Sequence, residues 1–435
     1  MDPAHERQIT FAPYGHVLTN FGVWSPDSRR IVYDVRSDAA GTVFDGTRIE
    51  EVEVETGSLR VRYQSQNRAR CGVVTHHPSE PKVVFILGPE NPTADYAYGP
   101  ARRRGVVIDP RVPGVAAPLD ARDLTPPFTP GALRGGSHVH GFSPAGDWVS
   151  FTYDDDVLSK FSAPGPDHDV NQRNVGVAIP GTPVRVSRAN PRNHDGEFFS
   201  VLVTHTTAFP RPGSDEITRA FEDAWVGTDG YLRPDGSRQR RAIAFQGNVL
   251  TAVGTEISEV FLVDLPDDLT VPGDGPLEGT ETRRPFPPRG VRQRRLTFTA
   301  DCRNPGIQGP RHWLRSSPDG SRIALLMKDD AAVVQLWTVS PNGGTPVQVT
   351  RNAWPIASAF TWSPDGSRIA HVMDGSMCTS DVATGATRRL TEKYERPPRP
   401  EACVFSPDGR QIAYVRRVPS GGKEYNQIFI VSAEP

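Results

Sequence analysis

The chain has 435 residues, a formal net charge of −2 and no basic stripe, which argues against nucleic acid as a partner. No apolar run approaches the roughly twenty residues of a membrane helix, so no membrane span is expected. The 42 prolines and 40 glycines are spread between apolar strands, as in a protein of many turns.

The N-terminal segment Met1-Asp-Pro-Ala-His-Glu-Arg7 is polar and lacks an apolar signal core, which predicts a cytoplasmic protein. Arg7-Gln-Ile-Thr10 reads as a strand with no blade of its own, and the loop Tyr14–Asn20 carries His16. One pattern then recurs: Trp24-Ser-Pro-Asp-Ser28, Phe142-Ser-Pro-Ala-Gly146, Ser316-Ser-Pro-Asp-Gly320, Trp362-Ser-Pro-Asp-Gly366 and Phe405-Ser-Pro-Asp-Gly409. Each copy leads into an apolar strand, such as Ile31-Val-Tyr33 or Ile412-Ala-Tyr-Val415. Proline presets φ and glycine supplies the positive φ of the reversal, so each copy is a hairpin. A third strand follows, as in Val334–Val339, and a fourth ends in an Arg/Gln-x-Thr string: Arg295-Leu-Thr297, Val347-Gln-Val-Thr350, Arg389-Leu-Thr391.

Four strands repeated at roughly forty to fifty residues predict an all-β propeller in one domain. The markers place seven blades near 20–68, 71–125, 137–187, 198–297, 311–350, 358–391 and 401–435. The second blade carries His77-Pro78 in place of Ser-Pro. The last has three strands, and residues 7–11 are expected to complete it, closing the ring and covering two sheet edges.

The fourth blade has an insertion. Gly213–Gly227 reads as a short helix capped by Ser214, with Ile217, Phe221 and Ala224 on one face. It either covers a blade or forms a lid over the channel, with Trp225 as a platform for a sugar. Cys71, Cys302, Cys378 and Cys403 lack metal-type spacing, and Cys403 reads as a buried core residue. Asp34-Val-Arg36 reaches the rim or forms a surface ion pair, and His76-His77 reads as structural.

Chemistry is expected at the channel mouth where the innermost strands begin. Side chains alternate along a strand, so positions five and three before the turn serine share a face. The first of these gives Asn20, His138, His312, Ser358 and Glu401; the second includes His140. With His16 from the adjoining loop, four histidines are predicted to converge, among Arg134, Arg311, Arg399 and Glu401. An His-x-His pair on one face suits a divalent metal completed from another blade. The same histidines also suit a polar channel lining. There is no Gly-x-Ser-x-Gly, His-Glu-x-x-His, P-loop or dinucleotide fingerprint, so any catalysis belongs to the propeller itself.

Several strings are specific: Gln8-Ile-Thr-Phe-Ala-Pro13 with His16, Gly131-Ala-Leu-Arg-Gly-Gly-Ser-His-Val-His140, Arg173-Asn-Val-Gly-Val-Ala178, Gly213-Ser-Asp-Glu-Ile217, Arg294-Arg-Leu-Thr-Phe-Thr299 and Arg311-His-Trp313. In this order, from about residue 7 onward, the chain resembles the YidR-like bacterial propeller family. Its turns are of the PD40 type and echo the TolB family. It is more distantly similar to the oligogalacturonate lyases, seven-bladed propellers that bind a divalent metal, typically manganese, at the channel mouth. There an His-x-His before the turn, a further histidine and a glutamine hold the metal, and a histidine and an arginine assist β-elimination. The resemblance implies His138 and His140 as metal ligands, with His312 or His16 as the next. The expected glutamine position is Gly135 here. His312, Arg134 and Arg311 are then the catalytic candidates, and Trp225, Asn20 and Glu401 the substrate contacts.

Two functions fit. One is a metal-dependent lyase acting on a small uronic-acid-containing or otherwise acidic saccharide, with the metal as Lewis acid, a histidine base and an arginine on the carboxylate. The other is a non-catalytic TolB-like propeller that presents its rim to a protein or small ligand.

Overall fold

The computed structural model describes residues 6–38, 41–112, 115–310 and 313–433. Seven four-stranded sheets form the blades of an all-β, seven-bladed propeller. Within each blade the strands pair antiparallel, as in blade three, where Gly135–Phe142, Val149–Asp155, Asn174–Ile179 and Phe199–Leu202 follow in order. The core lies between blades. Trp148, Val175 and Val177 of blade three, for example, pack on Ile243, Phe245 and Phe261 of blade four. Burying one such side chain contributes about 2 kcal/mol.

The repeated turn works through its serine. Ser25, Ser317, Ser363 and Ser406 each accept, through Oγ, the amide of the residue five positions on, at 2.9, 3.1, 2.9 and 3.0 Å. Each also donates to the turn aspartate: Asp27, Asp319, Asp365 and Asp408. The positive φ falls on Ser28, Gly320, Gly366 and Gly409. One hydroxyl thus closes the loop from both sides.

The terminal threonine of the Arg/Gln-x-Thr string also has one job. The hydroxyls of Thr297, Thr350 and Thr391, and of Thr204, which follows Leu202-Val203 instead, accept the amides of Val260, Leu336, Met377 and Val175 on the third strand, at 2.9–3.0 Å. A side chain thereby replaces the last ladder bond. Thr10 does the same for Ile428, at 2.8 Å. Glu6–Gln8 pairs antiparallel with Phe429–Val431, in one sheet with Cys403–Phe405 and Gln411–Ser420. Indole N–H groups stitch neighbouring inner strands: Trp24 to Val404 O, Trp225 to Gly141 O and Trp362 to Arg315 O, at 2.9–3.0 Å.

Two expectations need correction. Residues 213–227 are not a helix: Ile217–Trp225 is the innermost strand of blade four. It carries two bulges, between Ile217 and Ala220 and between Phe221 and Ala224. Trp225 is therefore a half-buried stitch to blade three, not a platform for a sugar. Phe199–Leu202, expected to open blade four, is instead the outer strand of blade three, displaced along the chain by the segment 180–198. The extra length of blade four lies in a hairpin of Tyr231–Leu232 with Arg238–Gln239 and in residues 265–291. No α-helix occurs among the described residues, and none of their helices is long and apolar enough to cross a membrane.

Candidate ligand site at the channel mouth

First and third strands of a blade run the same way, so the starts of both lie at one end of the ring. Gly135–Phe142 begins there and carries His138 and His140. The strand does not keep its alternation. Val139 has φ +56°, and the register with the second strand shifts between His138 and Gly141. A bulge of this kind turns the following side chain to the other face.

His138 therefore pairs with Thr152, whose Oγ1 donates to Asp223 of blade four at 3.2 Å. His140 points to the blade-two side. Its Nε2 is 3.0 Å from Ser137 Oγ, and its ring lies 6.2 Å from that of Phe151. The imidazole packs so closely on Gly105 that a Cβ there would sit 2.7 Å from Nε2. Ser137 donates to Asp120 at 2.9 Å, which makes His140 part of a sealed structural chain.

The other expected convergences also dissolve. His16 lies between blades seven and one, its Nδ1 2.8 Å from Asn426 O and its ring stacked on Tyr14 at 4.8 Å. Arg134 is 1 % exposed and pairs with Asp155 at 2.8 Å, while its remaining nitrogens hold the carbonyls of Thr280 and Arg283. It pins residues 265–291 to blade three and reaches no pore. Glu401 pairs with Arg399 at 2.6 Å. Asn20 is buried and accepts from Arg315. Asp34 and Arg36 form a buried ion pair rather than a surface one. His77 is structural, binding Gly146 O and the amides of Ser79 and Glu80. Arg311 and His312 lie outside the described residues.

The fit to a metal fails on this geometry. His140 is committed to Ser137, and among the described residues no group of three His, Cys, Asp or Glu side chains is placed to hold an ion.

His138 instead sits among cations. It is 8 % exposed, and its Nδ1 is buried without a hydrogen-bond partner. Burial holds its pKa well below 6.5, and the charges of Arg103, Arg173, His140 and Arg219 push it the same way. Arg103 and Arg173 immediately precede the third strands of blades two and three, and Arg219 lies early in the first strand of blade four. All three therefore stand at the same end of the ring. Asp154 pairs with Arg173 at 3.0 Å. Arg219 stacks over Phe221 at 4.6 Å, its Nε buried and unbonded. Beside Arg103, Tyr98 stacks on Phe44 with ring centroids 4.6 Å apart. Burial first, and Arg173 in addition, lower the pKa of both Arg103 and Arg219. Such a constellation attracts an anion with a flat or apolar portion.

Sequence reasoning found His138 but none of these arginines. The signal was that Arg103 and Arg173 each stand directly before a third strand, at the level where the first strands start.

The family described as protein of unknown function (DUF3748) matches residues 70–194. The chain is 46 % identical over 413 residues to Uncharacterized protein YidR from Escherichia coli (strain K12), covering 94 % of each. Among solved structures, an oligogalacturonate lyase in complex with manganese superposes with a TM-score of 0.54 at 11 % identity, over 99 % of this chain and 94 % of that one. Oligogalacturonate lyase from Vibrio parahaemolyticus gives 0.54 at 10 % identity, over 100 % and 95 %. At such identities the likeness is one of fold.

Proposed function

The chain belongs to the YidR family, and we propose that it takes a small acidic saccharide into the His138 mouth and cleaves it by β-elimination. The observation that carries this reading is the gathering of three guanidiniums, from blades two, three and four, near the neutral His138 imidazole, with His140 also within its electrostatic reach. A uronate carboxylate pairs with two guanidinium N–H groups at once, which draws off charge and acidifies the α C–H. Neutral His138 takes that proton. The C–H electrons form the new double bond as the glycosidic oxygen leaves with its own electron pair and is protonated by water. The shared fold of the oligogalacturonate lyases supports the substrate class. The four free cysteines, three of them buried, suit the reducing cytoplasm in which we place this chemistry.

A second reading is capture without turnover, as in the non-catalytic propeller considered above. Burial and neighbouring cations make His138 a weak base, and that observation favours it. Titration with oligogalacturonides, run alongside the ultraviolet absorbance of unsaturated uronate, separates the two. Arg103→Ala and Arg219→Ala should each weaken binding roughly tenfold. Absorbance growth that disappears in His138→Ala identifies the lyase. Binding with flat absorbance leaves capture, and no binding removes both.

A further inference from the structure

A cavity of about 450 Å³ lies between the connector that leaves blade four and the outer half of blade five, Val334–Val339 and Val347–Gln348. The innermost strands of these blades, Ile217–Trp225 and Arg315–Ser316, contribute none of its described lining, so it is distinct from the pore. Its base is apolar. Met327 is buried in the core shared by the two blades, and Trp337 packs half-buried against that core. The Trp337 indole N–H donates to Met327 O at 3.1 Å, which leaves the ring only apolar surface to offer a ligand.

Phe298 forms one wall and is 66 % exposed. Its backbone is nonetheless fixed. The threonines on either side, Thr297 and Thr299, both donate to the buried Glu259 carboxylate, the second at 2.8 Å. The Arg295 guanidinium, 3.0 Å from Glu259, lies 4.5 Å from the centre of the Phe298 ring. Asn304 secures the far end of the connector by donating to Asp329 O at 2.8 Å. The wall is therefore built before any ligand arrives, which lowers the ordering cost of binding.

Charge in the lining is only partly committed. Arg303 and Lys328 have no ion-pair or hydrogen-bond partner among the described residues. Asp329 is turned into its own loop, accepting the amides of Ala331 and Val333 at 3.0 and 2.9 Å and Gln335 Nε2 at 3.2 Å. Asp330 is the one described acid of the lining without a partner, so two uncommitted cations stand against one uncommitted carboxylate.

We infer that this cavity is a second ligand site, separate from the His138 mouth, and that it takes a small aromatic carboxylate. The flat ring lies on Trp337 and Phe298, and the carboxylate is shared by Arg303 and Lys328. Stacking suits the aromatic walls, and charge-assisted bonds suit the two free cations. The volume is that of a site for one small molecule. The assignment stands whether or not the mouth binds a saccharide.

The test is calorimetric titration of the whole protein with phenylpropionate, its amide and cyclohexylpropionate. Cys302 lines the same cavity and is the one exposed cysteine of the four, so its alkylation by iodoacetamide, read by mass spectrometry, reports where the ligand sits. Phenylpropionate should bind roughly tenfold more tightly than either control and should slow Cys302 alkylation in step with occupancy. Lys328→Met and Phe298→Ser, neither of which touches a buried residue, should each weaken it roughly tenfold. Asp330→Asn removes the opposing charge and should tighten it. Weaker binding in that variant would point to an ammonium-bearing ligand and overturn the assignment. Equal affinity for the acid and its amide, heat without protection of Cys302, protection by galacturonate, or no binding of phenylpropionate would each overturn it too, and none of these bears on the mouth reading except protection by galacturonate, which would move the saccharide here.

Discussion

Arg315 of blade five hydrogen-bonds Asn20 of blade one, so a side-chain contact spans the pore between blades that are not neighbours in the ring. The bond ties opposite walls together where each is made of short inner strands. Asn20→Ala leaves another donor of a buried cation unsatisfied, and a loss of about 1–3 kcal/mol in unfolding free energy is expected by denaturant titration. A change below the error of that titration would show that solvent already serves Arg315.

Arg134 and Asp155 form a sealed ion pair, and burial raises the Asp155 pKa although the guanidinium opposes it. Removing one partner strands the other. Arg134→Ala should cost about 3–5 kcal/mol, and Arg134→Met combined with Asp155→Asn should recover much of it. Thermal melts of the two variants make the comparison. A double variant as unstable as the single one would place the cost in the lost anchoring of Thr280 and Arg283 instead.

Thr10 accepts the Ile428 amide and donates to Gln427 Oε1, both at 2.8 Å. Thr10→Val keeps the shape and removes both bonds, for an expected loss of about 1–3 kcal/mol. Hydrogen exchange should quicken first at residues 428–431, the segment that pairs with Glu6–Gln8. Uniform acceleration across all blades would show instead that the ring opens as one unit.

Acid should destabilise the ring through its buried histidines. Burial lowers the pKa of His16 and His371 to about 4 and that of His76 and His140 to about 3. The unfolded chain therefore binds more protons than the folded one below about pH 6.5. This contribution is complete above that pH and is lost as the pH falls toward 4. Asp120, Asp155 and Asp223, whose pKa values burial raises, pull the other way as they take up protons. Melting temperature should be level above pH 7 and fall between pH 6.5 and 4.5, less steeply in His371→Asn. A flat profile across that interval would contradict the assignment.

The repeat and its blade order were legible because their causes are local. Ser-Pro-Asp-Gly contains its own hydrogen bonds, and a strand-ending threonine needs only the adjacent third strand. Arg7-Gln-Ile-Thr10 could be matched to Arg389-Leu-Thr391 for the same reason.

Bulges were not legible. In Ile217–Trp225 each bulge inserts one residue, so burial falls on Ile217, Ala220 and Ala224 at the spacing of a helix turn. Two irregularities in a strand thus imitate the period of another element. At Val139 the disruption is sharper. A β-branched residue at φ +56° is an outlier that no propensity anticipates, and it breaks the regular alternation that the expected His138 and His140 pair relied on. Val73 and Glu222, at φ +57° and +58°, do the same in blades two and four. The arginine mouth was missed because its members come from three blades and become neighbours only when the ring assembles.

The pairing of Glu6 with Val431 places the beginning and the end of the described chain side by side on adjacent antiparallel strands. A few residues of linker would join them into an endless backbone. Fresh termini could then be cut at an exposed tip such as Gly343-Gly344, where a side chain added to either glycine would meet open space. Circular permutants of that kind would carry the arginine mouth unchanged, because it does not depend on where the polypeptide starts.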